Sequence, residues 1–189
     1  MITQEELAPG ILSFYNVFPE SKSYIQQMEA QNIYWQKAEV LVDLENQISG
    51  KNEKARDTDV IVFDNNATGP FYFFQNAFNL NIDPLLHEYI QKYGVAIKDR
   101  ENPQLLRYGV GQKFTDHVDD HPMLWIRRLS LSYYINDDYE GGEIEFPKFN
   151  LKIQPKAGQL IFFPSNYMYN HSVHEVKSGT RYCVVQWMA

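Results

Sequence analysis

Beyond Gln104 the chain breaks into short runs of β-forming residues: LLRYGV, LSLSYYI, GEIEF, LKIQ, QLIFF and RYCVVQW. The turn stretches NDDYEGG, PKAG and KSG separate them. Connections this short leave little room for crossover helices, so the runs pair antiparallel. Six such strands bury an apolar face by curling into a sandwich or a jelly roll. The spacing therefore predicts a mainly β fold with helices covering one face.

Two helices are expected before that region. PESKSYIQQMEAQN, Pro19 to about Asn32, places Tyr24, Ile25 and Met28 on one side of an amphipathic helix. A second runs from about Pro84 to Tyr93, with the stripe Leu85, Leu86, Tyr89 and Ile90. Asp83 would be its N-cap, Pro84 its first residue and Gly94 its stop. Between them, residues 49–69 hold one strand, Val60 to Phe63, inside polar stretches that read as a mobile loop. Nothing repeats and no linker divides the chain. Residues 1–189 are thus expected to form one domain, with a helical support region over about 1–100 and a β core over about 104–188.

Composition narrows the setting. One cysteine, Cys183, excludes an intramolecular disulfide framework, and the start MITQEELAPGILSFY lacks the basic region of a signal peptide. No apolar run approaches the ~18 residues of a membrane span. A cytoplasmic protein with no membrane contact is expected. The formal net charge of −7 weighs against nucleic acid as the main partner. The one basic cluster, KNEKAR from Lys51 to Arg56, reads as a solvated loop. Nothing in the sequence fixes an oligomeric state.

Four of the five histidines fall in two segments, DHVDDHP (Asp116 to Pro122) and HSVHE (His171 to Glu175). In an extended chain His117 and Asp119 point to one face, so an imidazole and a carboxylate can converge on one ion. His121 stands at the helical spacing from His117, but Pro122 pushes it away from helix geometry, and it reads as a loop residue. Asp120 faces away from Asp119. A third ligand has to come from a distant strand, and His171 and His174 both qualify.

The run RYGVGQKFTDHVDD resembles the prolyl 4-hydroxylase-like branch of the 2-oxoglutarate/Fe(II) oxygenases, whose pattern Y-x-x-G-Q-x-F/Y-x-x-H-x-D is met by Tyr108, Gly111, Gln112, Phe114, His117 and Asp119. Tyr133-Tyr134-Ile135-Asn136 is similar to its YYLN strand end, and Gly141-Gly142-Glu143 with Phe146 to its GGE-x-x-F segment. His171, Val173, Val176, Gly179 and Arg181 meet H-x-V-x-x-V-x-x-G-x-R, and Trp187 stands at the closing tryptophan. Arg56-Asp57-Thr58 resembles a short R-x-S/T element near the family's substrate loop. The likeness runs from about 104 to 188 and implies a double-stranded β-helix, jelly-roll and cupin-like.

The resemblance also implies a ligand set of His117, Asp119 and His171, leaving His174 outside. Two imidazoles and a carboxylate are the facial set of non-haem Fe(II) oxygenases. Fe(II) with 2-oxoglutarate and O2 as cosubstrates, and ascorbate as an aid, would then hydroxylate an unactivated C–H and release succinate and CO2. Peptidyl proline is the first substrate expected, on a protein or peptide. The same chemistry on a small molecule or nucleic acid, or a non-catalytic jelly-roll binding protein, are the alternatives. Arg181 would take the far carboxylate of 2-oxoglutarate with its planar fork. Tyr134 would help it, because Ser130, Ser132 and Tyr134 share a face that leaves room for a ligand, while Leu129, Leu131 and Tyr133 pack the other. Tyr108 is expected near the metal end of the cosubstrate or at the substrate mouth, Trp187 as a wall of the iron site, and Arg56 beside the substrate.

Overall fold

The alternation in LSLSYY organises the molecule. Leu129–Tyr134 is a strand buried on both faces. Leu129, Leu131 and Tyr133 enter a core shared with the helices, and Tyr134 enters a second core with Ile161, Phe163 and Cys183. Its neighbours are Gln159–Pro164 and Arg181–Met188, each in unbroken antiparallel register. The computed structural model describes residues 1–31, 33–43, 48–63, 68–120 and 127–189, without the side chains of 41–43 and 48–49.

The major sheet has eight strands. In spatial order they are Thr3–Ala8, Ile11–Tyr15, Gln159–Pro164, Leu129–Tyr134, Arg181–Met188, Gln104–Tyr108, Asp59–Val62 and Gln36–Lys37. The minor sheet has five: Leu151–Ile153, Ile144–Phe146, His171–Val173, Lys113–His117 and Arg56–Asp57. Every pairing in both is antiparallel. Ile144, Phe146 and Val173 of the minor sheet pack against Leu106, Tyr134, Ile161 and Phe163 of the major one. This is the expected jelly roll, and all six expected strands are present.

The other face of the major sheet carries the helices, α1 (Ser21–Glu29) and α2 (Gly69–Tyr93). From α1, Ile25 and Met28 are buried as the spacing predicts. Tyr133 anchors the layer. Its hydroxyl donates to the Phe18 carbonyl at 2.8 Å and lies 2.7 Å from the Ser21 hydroxyl, and its ring meets Phe78 edge-on at 5.8 Å.

Three expectations need correction. First, α2 does not begin at Pro84. It begins at Gly69, with Pro70 in its first turn, and Pro84 lies inside it. Phe74, Phe78, Ile82, Leu85, Leu86 and Tyr89 form one continuous buried stripe, and that packing outweighs the proline. Pro84 and Leu80, whose carbonyl the proline leaves without an N–H, both stand on the solvent face, where water can replace the lost bond. Gly94 closes the helix as expected, at φ +65 and with its N–H on the Ile90 carbonyl at 2.9 Å.

Second, the first hundred residues are not only helical support. Pro9–Gly10 turn the chain between Ala8 and Ile11, with Gly10 at φ +76, and the resulting hairpin adds two strands to the major sheet. The P-G dipeptide was the signal for that turn. Third, the described part of the stretch 49–69, which leaves out 64–67, holds more than one strand. Arg56–Asp57 pairs into the minor sheet, and the expected Val60–Phe63 strand is Asp59–Val62 in the major sheet.

Candidate metal centre

Lys113–His117 and His171–Val173 are neighbours in the minor sheet, with His117 directly opposite His171. Asp119 follows two residues beyond the end of the first strand. One donor atom from each of His117, Asp119 and His171 lies within 4.8 Å of the others. His117 Nε2 is 3.5 Å from one Asp119 oxygen, and His171 Nε2 is 3.8 Å from the other.

Both imidazoles are preset. His117 Nδ1 donates to the Thr115 carbonyl at 2.8 Å and His171 Nδ1 to the Tyr169 carbonyl at 3.1 Å. A carbonyl only accepts, so each proton sits on Nδ1 and each Nε2 turns a lone pair toward the cluster. Phe114 stacks on His117 with centroids 3.5 Å apart. Burial, and then the His117 charge, push His171 down to about 4 against the opposing pull of Asp119, so it is neutral at neutral pH. Burial alone would raise the Asp119 carboxyl, but His171, His117 and Ser130 together hold it well below the usual carboxylate range. Two imidazoles that turn their Nε2 lone pairs inward and an ionised carboxylate form the donor set a divalent cation needs, and these residues fit one.

A pocket runs from this cluster to Arg181. Arg181 is 2% exposed, and among the described residues no carboxylate pairs with it. One Nη donates to Cys183 Sγ at 3.2 Å, and Nε is buried without a partner. Burial pushes the Cys183 thiol up, so it is a neutral neighbour and no counterion. An uncompensated buried charge costs several kcal/mol in a folded protein. A guanidinium held this way, with phenol rings 4.8 Å (Tyr108) and 5.1 Å (Tyr134) from it, fits a ligand that brings its own carboxylate. Gly142 makes the arrangement possible. At φ +63, a Cβ there would lie 2.9 Å from the Arg181 side chain.

The remaining expected residues divide. Trp187 and Arg56 line the pocket, and Arg56 lies 4.9 Å over the Phe114 ring. Tyr108 lines it too, but at the guanidinium end and not the metal end, because its strand pairs it directly with Arg181. Tyr134 does not line the pocket but lies beside Arg181, its hydroxyl buried and without a partner. His174 is turned away, with Nε2 2.5 Å from Glu145. His121 lies outside the described residues. Sequence reasoning missed Phe114 as a stacking partner, together with Arg127, which donates to the Asp119 carbonyl, and Glu101, which pairs with Arg127. The aromatic three positions before His117 was a usable signal for the first, whereas nothing local marks the other two.

The profile of the 2OG-Fe(II) oxygenase superfamily matches residues 103–189. A PKHD-type hydroxylase of Prochlorococcus marinus (strain NATL1A) is 39% identical over 84 residues, which is 42% of this chain and 37% of that protein. The human prolyl 3-hydroxylase 2 is 38% identical over 71 residues, 35% of this chain and 10% of that protein. The matched stretch thus spans well under half the length of these curated relatives. Among solved structures, a Trichoplax adhaerens prolyl hydroxylase in complex with a hypoxia inducible factor peptide fragment superposes with a TM-score of 0.76 at 18% identity, covering 95% of this chain and 83% of that one. The viral collagen prolyl hydroxylase of Paramecium Bursaria Chlorella virus-1 gives 0.69 at 21% identity, covering 95% of each. At such identities the likeness is one of fold. The sequence match and the preset His-Asp-His cluster agree: residues 103–189 are similar to the 2OG-Fe(II) oxygenase superfamily, and their geometry fits that likeness.

Proposed function

We propose that this protein hydroxylates a peptidyl proline in a reaction dependent on Fe(II) and 2-oxoglutarate. The observation that carries the reading is the pairing, on one pocket, of a metal-ready cluster with a buried guanidinium that has no counterion. His117, Asp119 and His171 would hold the iron, and Arg181 would take the far carboxylate of 2-oxoglutarate. Iron, 2-oxoglutarate and O2 together supply the oxidant that turns a C–H into a C–OH, with succinate and CO2 as the other products.

The chain's own contribution is geometry and the exclusion of water. Thr115 and Tyr169 keep both ligand lone pairs aimed inward. Ile144, Val173, Phe114 and Trp187 wall the pocket with apolar surface. Arg56, stacked on Phe114 beside the cluster, stands where it could orient a peptide. The prolyl hydroxylase relatives and the peptide bound by the Trichoplax enzyme support a peptide as substrate. No helix among the described residues is long and apolar enough to cross a membrane, and a lone buried thiol suits a reducing cytoplasm.

The test is incubation with Fe(II), ascorbate, 2-oxoglutarate and a library of proline-containing peptides, reading succinate and the mass of each peptide. Peptide-dependent succinate with one oxygen added to proline is the expected result. Succinate with no peptide modified would move the substrate to a small molecule. Binding of both iron and 2-oxoglutarate with no turnover on any substrate class would leave a binding protein in place of an enzyme.

A further inference from the structure

Of the three cluster residues, only His117 and His171 belong to strands. Asp119 lies beyond the ladder, so its main chain is held by other means. Asp120 N–H donates to the Ser165 carbonyl at 2.9 Å. Arg127 Nη1 donates to the Asp119 carbonyl at 3.1 Å. The other two nitrogens of Arg127 close a bidentate pair on Glu101, at 2.5 and 2.7 Å, and its planar face lies 4.0 Å from the Trp187 ring.

Glu101 is itself tied in. Its N–H donates to the Trp187 carbonyl at 2.9 Å, and its carbonyl accepts from Gln186 Nε2 at 2.8 Å. Gln186 in turn accepts from Arg100 at 2.8 Å, and Arg100 reaches Asp83 on α2. One guanidinium therefore touches a candidate metal ligand and a wall of the pocket at once, and it is braced back to the helix layer.

We infer that Arg127, braced by Glu101, is a positioning residue: it sets the Asp119 main chain so that the carboxylate meets the metal, and it fixes the Trp187 wall. The inference rests on the proposed role of Asp119 as a ligand. The Arg127–Glu101 pair is partly buried and bidentate, so a purely structural role would show in unfolding and leave metal affinity alone. A positioning role would not, since outer-shell partners of metal ligands typically affect affinity by ~10–100-fold. The geometry also separates fork from charge. Arg127 uses all three nitrogens on two acceptors and its face on Trp187, which a lysine cannot reproduce.

The experiment is Mn(II) titration of the full chain, followed by the electron paramagnetic resonance signal of free Mn(II), with urea unfolding of each metal-free variant. Arg127→Met and Arg127→Lys should both weaken Mn(II) binding by ~10–100-fold. Glu101→Gln should weaken it in the same direction and carry the test if the Arg127 variants fail to fold. Lys22→Ala, which breaks the exposed Lys22–Asp138 pair, is the control and should leave affinity unchanged. The inference is overturned if the folded variants bind Mn(II) within about twofold of the wild type, or if Arg127→Lys restores full affinity. Wild-type protein that takes up no Mn(II) overturns the metal assignment itself, and this inference with it.

Discussion

Tyr133 and Tyr134 are adjacent on one strand and face opposite ways. Tyr133 looks into the helix layer, where its ring packs among Phe18, Phe74 and Phe78 and its hydroxyl is fully engaged with Phe18 and Ser21. Tyr134 looks between the sheets beside Arg181, and neither its hydroxyl nor the Arg181 Nε has a partner. Tyr133 is satisfied without any ligand, whereas Tyr134 and Arg181 on the other face are short of acceptors. The difference assigns stability to the first and binding to the second: truncations on the helix face should cost folding free energy, and truncations on the pocket face should cost affinity while leaving the fold intact.

The largest effect expected on the pocket side is His171→Ala. Loss of a proposed direct ligand should weaken Mn(II) binding by more than the ~10–100-fold typical of an outer-shell change, with metal-free unfolding in urea little altered. On the helix side Phe78→Ala should cost ~3–5 kcal/mol in the same unfolding measurement, with Mn(II) affinity kept. Arg181→Met crosses the two. It should reduce 2-oxoglutarate affinity by ~2–5 kcal/mol by calorimetry, yet hold or raise metal-free stability, because an apolar chain replaces an unpaired buried charge. A drop in stability with affinity kept would erase the division between the faces.

A smaller effect follows from His171, whose folded-state value near 4 lies below the ordinary 6.5. Between those limits the unfolded chain binds a proton that the folded one refuses, so stability falls as pH falls from about 6.5 to 4. The loss from this residue is about 3 kcal/mol. Comparing metal-free wild type with His171→Asn across that window should reveal it as a steeper slope in the wild type. The smallest effect is expected for His174→Ala, a half-buried partner of Glu145. It should change stability by no more than ~1 kcal/mol and leave Mn(II) binding alone.

What the sequence made legible follows from how local each signal is. The strands after Gln104 could be read because alternation and turn residues act over a few positions, and LSLSYY even assigned its two faces correctly. His117 and Asp119 were readable as a pair for the same reason. The choice between His171 and His174 was not, since the register that sets His171 against His117 spans more than fifty residues, and only the family pattern separated them. α2 misled because Asp83-Pro84 carries every mark of a helix start, while the deciding fact is the burial of Phe74 and Phe78 against a sheet formed later in the chain. Arg127 and Glu101 left no trace, because they stand 26 residues apart and no local pattern ties one to the other.

His117 and His171 sit face to face on neighbouring strands, so an ion between them would also be a removable rivet joining two distant parts of the chain. Loading the metal would then tighten the smaller sheet as well as arm the pocket. Amide hydrogens from 113 to 117 and from 171 to 173 should exchange more slowly with the ion than without it, while those in the strand 129–134 keep their pace.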